Sequence, residues 1–541
     1  MIIYLQPALE DHLVEANAIR NRVVNHASAI RQQTQHYLNN ISGLMAIACD
    51  AWTSANRIAF LAITASWITQ EWQLEETLLD FVELKGAHDG QNMATSVATV
   101  VSELGIEDKV LALVSDNASN NGTLVQHLSS SLQKSAPNSR WDGTQGHVRC
   151  LAHIIHLAVM SLLRGVKAVP ASVNSRDITH NDHSLTSDEA ELIVADDNFE
   201  ASESDDKALP DPMIDLGSGI DKTIDALTNH PKIKIYRPYA LSTGDWLAIS
   251  AVRKWLKFFR RALVRISGEK YPTLSFSLHI YFVLIGYVSE LENDSTVRQN
   301  LPALNGIRAC KSKLQEFLDR STKDSHYYYF AMVLDPRYKD TLFKSHTPVL
   351  GAILPSDWIY DSAEAFSRAF ALFKSHTPVL GAILPSDWIY DSAEAFSRAF
   401  ALFYSGKDDK SIQQNLIARE RPDVDEFDHA MHASMPQWLH QPQEPTSFTH
   451  EIKEYLAEPT TSMAPLDWWS KHALRFPRLA AVARDYLCIP GSSVAVERVL
   501  STGRDVISLR RASLSAETIR ILMNYRSDIM LEKATHGFRR A

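Results

Sequence analysis

Cysteine is scarce. Four residues among 541, Cys49, Cys150, Cys310 and Cys488, are scattered along the chain, and no two form a CxxC pair. That spacing excludes a disulfide framework and an ordinary zinc finger, and it points to a reducing compartment. Long apolar runs are missing too: the best, residues 280–288, falls far short of a bilayer span, so no membrane partner is expected. The opening MIIYLQPALEDH has neither a basic n-region nor a small-residue cleavage site, which argues against a secretory signal. Positive charge is in deficit. The net charge of −10 by itself disfavours a nucleic-acid partner, but the average hides a concentration of acid. Residues 177–211 carry Asp188, Glu189, Glu191, Asp196, Asp197, Glu200, Glu203, Asp205 and Asp206, with only Arg176 and Lys207 opposing them. That stretch, within residues 171–215, reads as a disordered acidic loop.

What is present is ordinary for a globular protein: 45% hydrophobic and 22% charged residues, in a chain long enough for more than one domain. The chain is organised around GLMAIACDAWT at 43–53, an apolar run that reads as a buried strand ending at Asp50. A carboxylate at a strand end is held by a rigid backbone where water can still reach it. Residues 8–40 read as helical. Strands follow at 44–50, 58–68 and 74–84, the last two as an antiparallel hairpin turning near 70–73. A helix at 92–104 stops at Gly105. A fourth strand at 109–115 ends at Asp116, and helices follow at 117–132 and 150–163. After residue 170 the pattern becomes helical.

Several residues admit two readings. Asp50 serves equally as a strand-end turn residue, and Asp116 as a helix N-cap. Cys150, His153 and His156 invite zinc, but a fourth ligand is lacking nearby. In residues 253–266, Arg253, Lys257, Arg260, Arg261 and Arg265 fall on one helix face, and Trp255, Phe259, Ala262 and Ile266 on another. The basic face suits a DNA backbone or simple solvation. Trp468 and Trp469 read as core or interface anchors. A closing helix after Ser515 aligns Ile519, Leu522, Met523 and Ile529. Residues 342–373 recur identically as 372–403, whereas true solenoid repeats drift in sequence and need several copies.

The motifs CDAWTS at 49–54, SDNASNN at 115–121, RCLAHIIHLAV at 149–159, YPTLSFSLHIY at 271–281 and AMVLDPRYK at 331–339 occur in one order. They are followed by LDWW, FPRLAAVARDYL and IPGSSVAVERVLS in residues 466–501. Together they resemble the hAT-family DNA transposases, including the family's C-terminal dimerisation region. Family members usually carry a BED-type zinc finger ahead of these motifs. The family's TRWNS-like stretch has no counterpart here, and Trp246, in STGDW, does not inherit its role.

The resemblance implies an α/β fold, a ribonuclease H-like mixed sheet interrupted by a large all-α insertion. The implied division is a helical segment at 1–40, the first part of the catalytic core at 41–170, the acidic loop at 171–215, the α-helical insertion at 216–403, a linker at 404–450, and a dimerisation region at 451–541 that completes the core. It implies a DDE triad of Asp50, Asp116 and Glu497 holding two Mg²⁺ or Mn²⁺ ions, with His153 near the scissile phosphate and Cys150 packed beneath. Arg149, Arg253, Lys257, Arg260 and Arg261 are the expected DNA contacts. The implied activity is cutting and joining double-stranded DNA at transposon ends, by a nuclear homodimer or larger homo-oligomer. The rival is a catalytically dead, transposase-derived DNA-binding or dimerisation protein; an RNA-directed ribonuclease H-like nuclease fits the C-terminal block less well.

Overall fold

The computed structural model describes residues 16–54, 57–86, 89–118, 121–137, 139–168, 224–229, 234–341, 362, 448–507 and 514–535. The acidic stretch, all but Ser362 of the repeat, and the linker as far as residue 447 therefore lie outside the described residues. The chain divides into two compact units, one of residues 1–154, 266–290 and 311–541, the other of 155–265 and 291–310.

The first unit holds a five-stranded mixed sheet. Helix α1 (Ala16–Asn39) precedes β1 (Met45–Thr53), β2 (Ala59–Ile68) and β3 (Leu74–Glu83). Then come α2 (Gly90–Leu104), β4 (Val110–Ser115), α3 (Asn121–Ser135), β5 (His147–Arg149) and α4 (Leu151–Gly165). The strand order is β3-β2-β1-β4-β5. β1 to β3 form an antiparallel meander, whereas β4 lies parallel to β1 and β5 parallel to β4. A parallel neighbour cannot be reached by a hairpin, and α2 makes the crossover from β3 to β4. Its ends follow the sequence: Asp89 accepts from Asn92 N at the start, and Gly105 adopts φ 67° at the stop, a left-handed value that glycine takes without a Cβ clash.

β2 is buried at all ten residues and β1 at its first five. Strands sheathed on both faces read as continuous apolar runs rather than alternating ones. The hairpin turn contains Trp72 at φ 63°. Arg484 stacks over the Trp72 ring and donates to the carbonyls of Thr69 and Gln70, so the C-terminal region braces the turn.

The remaining helices are α5 (Thr243–Ile266), α6 (Ser277–Asn293), α7 (Leu301–Asp324), α8 (Tyr327–Val333), α9 (Phe448–Ala457), α10 (Pro465–His472), α11 (Pro477–Leu487), α12 (Val494–Val506) and α13 (Ala516–Ala534). Trp469 is fully buried, donates to Leu334 O and stacks on Tyr455, which settles it as a core residue. Buried Lys339 reaches the carbonyls of Tyr455 and Glu458. Asp485 of α11 accepts from Leu44 N at 2.9 Å and pairs with Arg140 at 2.9 Å, joining the late helices to the first strand.

In the second unit, α4 and α7 cross backbone to backbone. A Cβ added to Gly165 would lie 2.2 Å from Gly306 Cα, and one on Gly306 would lie 2.7 Å from Leu162 O. Helix α5 buries Trp255 and Phe259 while Arg253, Arg260 and Arg261 are exposed, as its amphipathic spacing predicts.

The structure corrects four expectations. β1 continues past Asp50 to Thr53 because β2 goes on pairing with it as far as Ala59. The three-residue β5 was not expected; pairing with β4, not its own length, makes it a strand. The last helix turns a mixed face inward: Ile519, Met523, Asp528 and Leu531 are buried, while Leu522 and Ile529 are only partly so. Finally, Leu274–Asn293 is one helical stretch long and apolar enough by length and composition to cross a membrane. The apolar run at 280–288 is only its middle. Leu278, Tyr281, Leu284, Ile285 and Val288 are nonetheless buried in the protein, as in the core helix of a folded domain.

Candidate active site

Parallel pairing of β1 with β4 sets Ala48 opposite Val114. Asp50 and Asp116 each lie two residues further along, so two carboxylates from distant parts of the chain stand at one end of the sheet. Both are partly exposed. Burial, and after it the charges of Asp50 and Asp116, raises the pKa of the buried Cys49 thiol.

Glu497 comes from α12, which packs on β1 and β2. The PGSS segment fixes where that helix begins: Gly491 N donates to Thr273 Oγ1 at 2.8 Å, and Leu151 N donates to Gly491 O at 3.0 Å. The helix then begins at Val494, one turn before Glu497. A Cβ on Gly503 of α12 would sit 3.3 Å from Phe81 and 3.7 Å from Trp52, so the helix lies close on the sheet. Glu497 is open to solvent, yet desolvation by the surrounding protein, reinforced by the Asp116 charge, pushes its pKa up against the opposing pull of Arg498. Arg498 is itself engaged, pairing with Glu76 and Glu269.

Cys150 lies beneath, fully buried. Its Sγ accepts from Ser493 N at 3.3 Å and His153 N at 3.4 Å. Burial, then the Glu497 charge, pushes the thiol up to about 11. Both N–H groups approach the thiol from the elements packed around it, the start of α4 and the segment ahead of α12. His153 is partly exposed at the start of α4. Arg149 is half committed: Nη2 pairs with Asp324 at 2.8 Å, while its buried Nε finds no partner. Arg253, Lys257, Arg260 and Arg261 belong to the second unit.

Carboxylate oxygens are the donors that hard divalent ions take, and Asp50, within β1, and Asp116, just past the end of β4, fit such an ion in chemistry and in their matching level along the two strands. Among the described residues, however, no three His, Cys, Asp or Glu side chains are gathered as a ready-made metal-binding group. The donors on neighbouring strands are thus two, Asp50 and Asp116, with Glu497 on the helix that packs on β1 and β2. The sequence reading overlooked Asn121, which binds the Asp116 side chain, although SDNASNN displays it. Its reading as a plain helix start hid it.

Two families match the chain: the ZBED1 RNase-like domain over residues 48–140 and the hAT family C-terminal dimerisation region over 451–529. The chain is 24% identical to the putative transcriptional regulator tpeD of Talaromyces stipitatus, over 94% of this chain and 56% of that one. It is 23% identical to the putative AC transposase of Zea mays, over 90% and 57%. It is also 20% identical to the zinc finger BED domain-containing protein RICESLEEPER 3 of Oryza sativa subsp. japonica, over 96% and 65%. The chain thus spans little more than half the length of the first two relatives. The motifs, the sheet and these matches agree: the chain bears the hAT family C-terminal dimerisation region over residues 451–529 and is similar to hAT transposases and BED-finger proteins.

Proposed function

We propose that the chain is the core of a hAT-type transposase that cuts and rejoins double-stranded DNA at transposon ends, acting in the nucleus as a homo-oligomer built through its C-terminal region. The observation that carries this reading is the register of β1 with β4, which aligns Asp50 and Asp116 at one sheet end under the helix that bears Glu497. We assign these three carboxylates as the ligands of Mg²⁺ or Mn²⁺. Bound as a pair, such ions supply Lewis acidity toward a water or 3′-hydroxyl and toward the leaving oxygen of an in-line displacement.

The chain's own residues do the rest. Asp50 and Asp116 hold fixed negative charge on rigid strands. His153, partly exposed, is assigned to the scissile phosphate, and Arg149 to a neighbouring one. Arg253, Lys257, Arg260 and Arg261 neutralise backbone phosphates, which supplies affinity without regard to sequence. The test is nicking of a plasmid carrying the element's own ends, with Mg²⁺ or Mn²⁺. Wild type should nick, and Glu497→Gln should abolish nicking while the circular dichroism and thermal midpoint stay as they were. Nicking by Glu497→Gln at the wild-type rate would remove Glu497 from the site.

A second reading has its own support. Relatives of similar identity are named as a transcriptional regulator and as BED-finger proteins, and the TRWNS-like stretch is missing from this sequence. A chain that dimerises and retains DNA but nicks no cognate end would be a binding protein descended from a transposase.

A further inference from the structure

The loop between β4 and α3 takes hold of one oxygen of Asp116. Asn121 Nδ2 donates to Asp116 Oδ1 at 2.6 Å and to the Asp116 carbonyl oxygen at 2.5 Å. Ala118 N donates to the same Oδ1 at 3.1 Å. Asn121 is 2% exposed, although it opens a helix, where side chains are commonly solvated. No described residue donates a hydrogen bond to Oδ2.

We infer that Asn121 is a positioning residue: it occupies Oδ1, locks the rotation of the Asp116 carboxylate, and leaves Oδ2 as the oxygen offered to a hard divalent cation. The inference rests on the reading of Asp116 as a metal-ligating carboxylate. An amide suits the task. It donates two N–H groups without adding negative charge beside Asp116, whereas a carboxylate at 121 would repel it. The bond to an ionised oxygen is charge-assisted and stronger than a neutral one. It also spares the cation from having to order a freely rotating ligand, a cost that otherwise reduces affinity.

A bond that merely staples the loop would look the same in a static structure, so the experiment separates stability from ligand orientation. Mn²⁺ alone is titrated into the full chain, and free ion is read by electron paramagnetic resonance, with thermal midpoints measured on the same samples. Wild type should bind Mn²⁺ saturably and Asp116→Asn should lose that binding. Asn121→Ala should weaken it by about tenfold or more, the usual effect of removing a hydrogen bond that orients a ligand. Leu124→Ala, on the same helix at a fully buried position, lowers stability without touching Asp116 and should leave Mn²⁺ affinity within about twofold of wild type. Equal affinity in Asn121→Ala and wild type would overturn the positioning role while the carboxylate site stood. So would equal weakening in Leu124→Ala and Asn121→Ala. Absence of saturable Mn²⁺ binding in wild type would overturn the carboxylate reading and this inference with it.

Discussion

Arg520 of α13 grips Asp80 of β3 at two points, Nε to Oδ1 at 2.9 Å and Nη2 to Oδ2 at 2.5 Å, across 440 positions of chain. Asn524 adds a third bond to the same carboxylate at 2.7 Å. Asp80 is 1% exposed. Burial alone would raise its pKa, but the bonds from Arg520 and Asn524 outweigh burial and hold it below the ordinary carboxylate value. One turn on, Ser527 Oγ accepts from Leu78 N at 3.1 Å. The hAT dimerisation region thus covers the edge strand of the sheet and ties itself to it with polar bonds.

Arg520→Ala should therefore be among the costlier single changes. It strands a buried carboxylate, and breaking one side of a buried pair costs about 3 kcal/mol or more. Denaturant unfolding measures the loss, and hydrogen exchange should show it concentrated in α13 and β3. Unchanged stability would mean that the pair contributes little beyond solvated charge.

His147 predicts an acid-sensitive step. Burial, then the neighbouring Arg149 charge, lowers its pKa from 6.5 to about 4, against the pull of Asp324 and Asp116. The unfolded chain therefore takes up this proton at higher pH than the folded chain. The stability is intact above pH 6.5 and is lost as pH falls from there toward 4, by on the order of 3 kcal/mol. His147→Gln should flatten that part of the stability–pH curve. The same slope in variant and wild type would assign the loss to other groups.

The α4–α7 crossing has no space for side chains. Gly306→Ala would set a Cβ against the Leu162 carbonyl oxygen, and backbone cannot give way as a side-chain tip can. A cost of about 1–3 kcal/mol is expected, with the helices forced apart. Limited proteolysis and thermal unfolding report it, and a wild-type midpoint would show that the helices slide cheaply.

The exposed arginines of α5 predict a salt effect. Replacing Arg260 and Arg261 together by Ala should weaken binding to duplex DNA of any sequence and reduce the slope of log affinity against log salt by about two. Fluorescence anisotropy at several salt concentrations reads both. An unchanged slope would return this face to plain solvation.

The first four strands and the Gly105 stop could be read along the chain, because each is a local matter of period, capping and turn chemistry. The hidden elements share a different cause. β5 is a strand only because β4 pairs with it, and Asn121 matters only because the loop folds back on Asp116. The inner face of α13 was misread because an apolar stripe was sought, whereas the surface it meets carries buried Asp80, whose partners are Arg520 and Asn524.

The sequence by itself determined the types of the longer elements, the aspartates that accompany β1 and β4, and the hAT-like order of motifs. These follow from periodicity and residue chemistry that need no distant partner. Only the tertiary structure decided that the strands carrying Asp50 and leading to Asp116 are neighbours, that the helix bearing Glu497 packs on β1 and β2, and that the last helix binds the sheet edge through Asp80. Such relations depend on register and packing across hundreds of residues, and no local pattern encodes them.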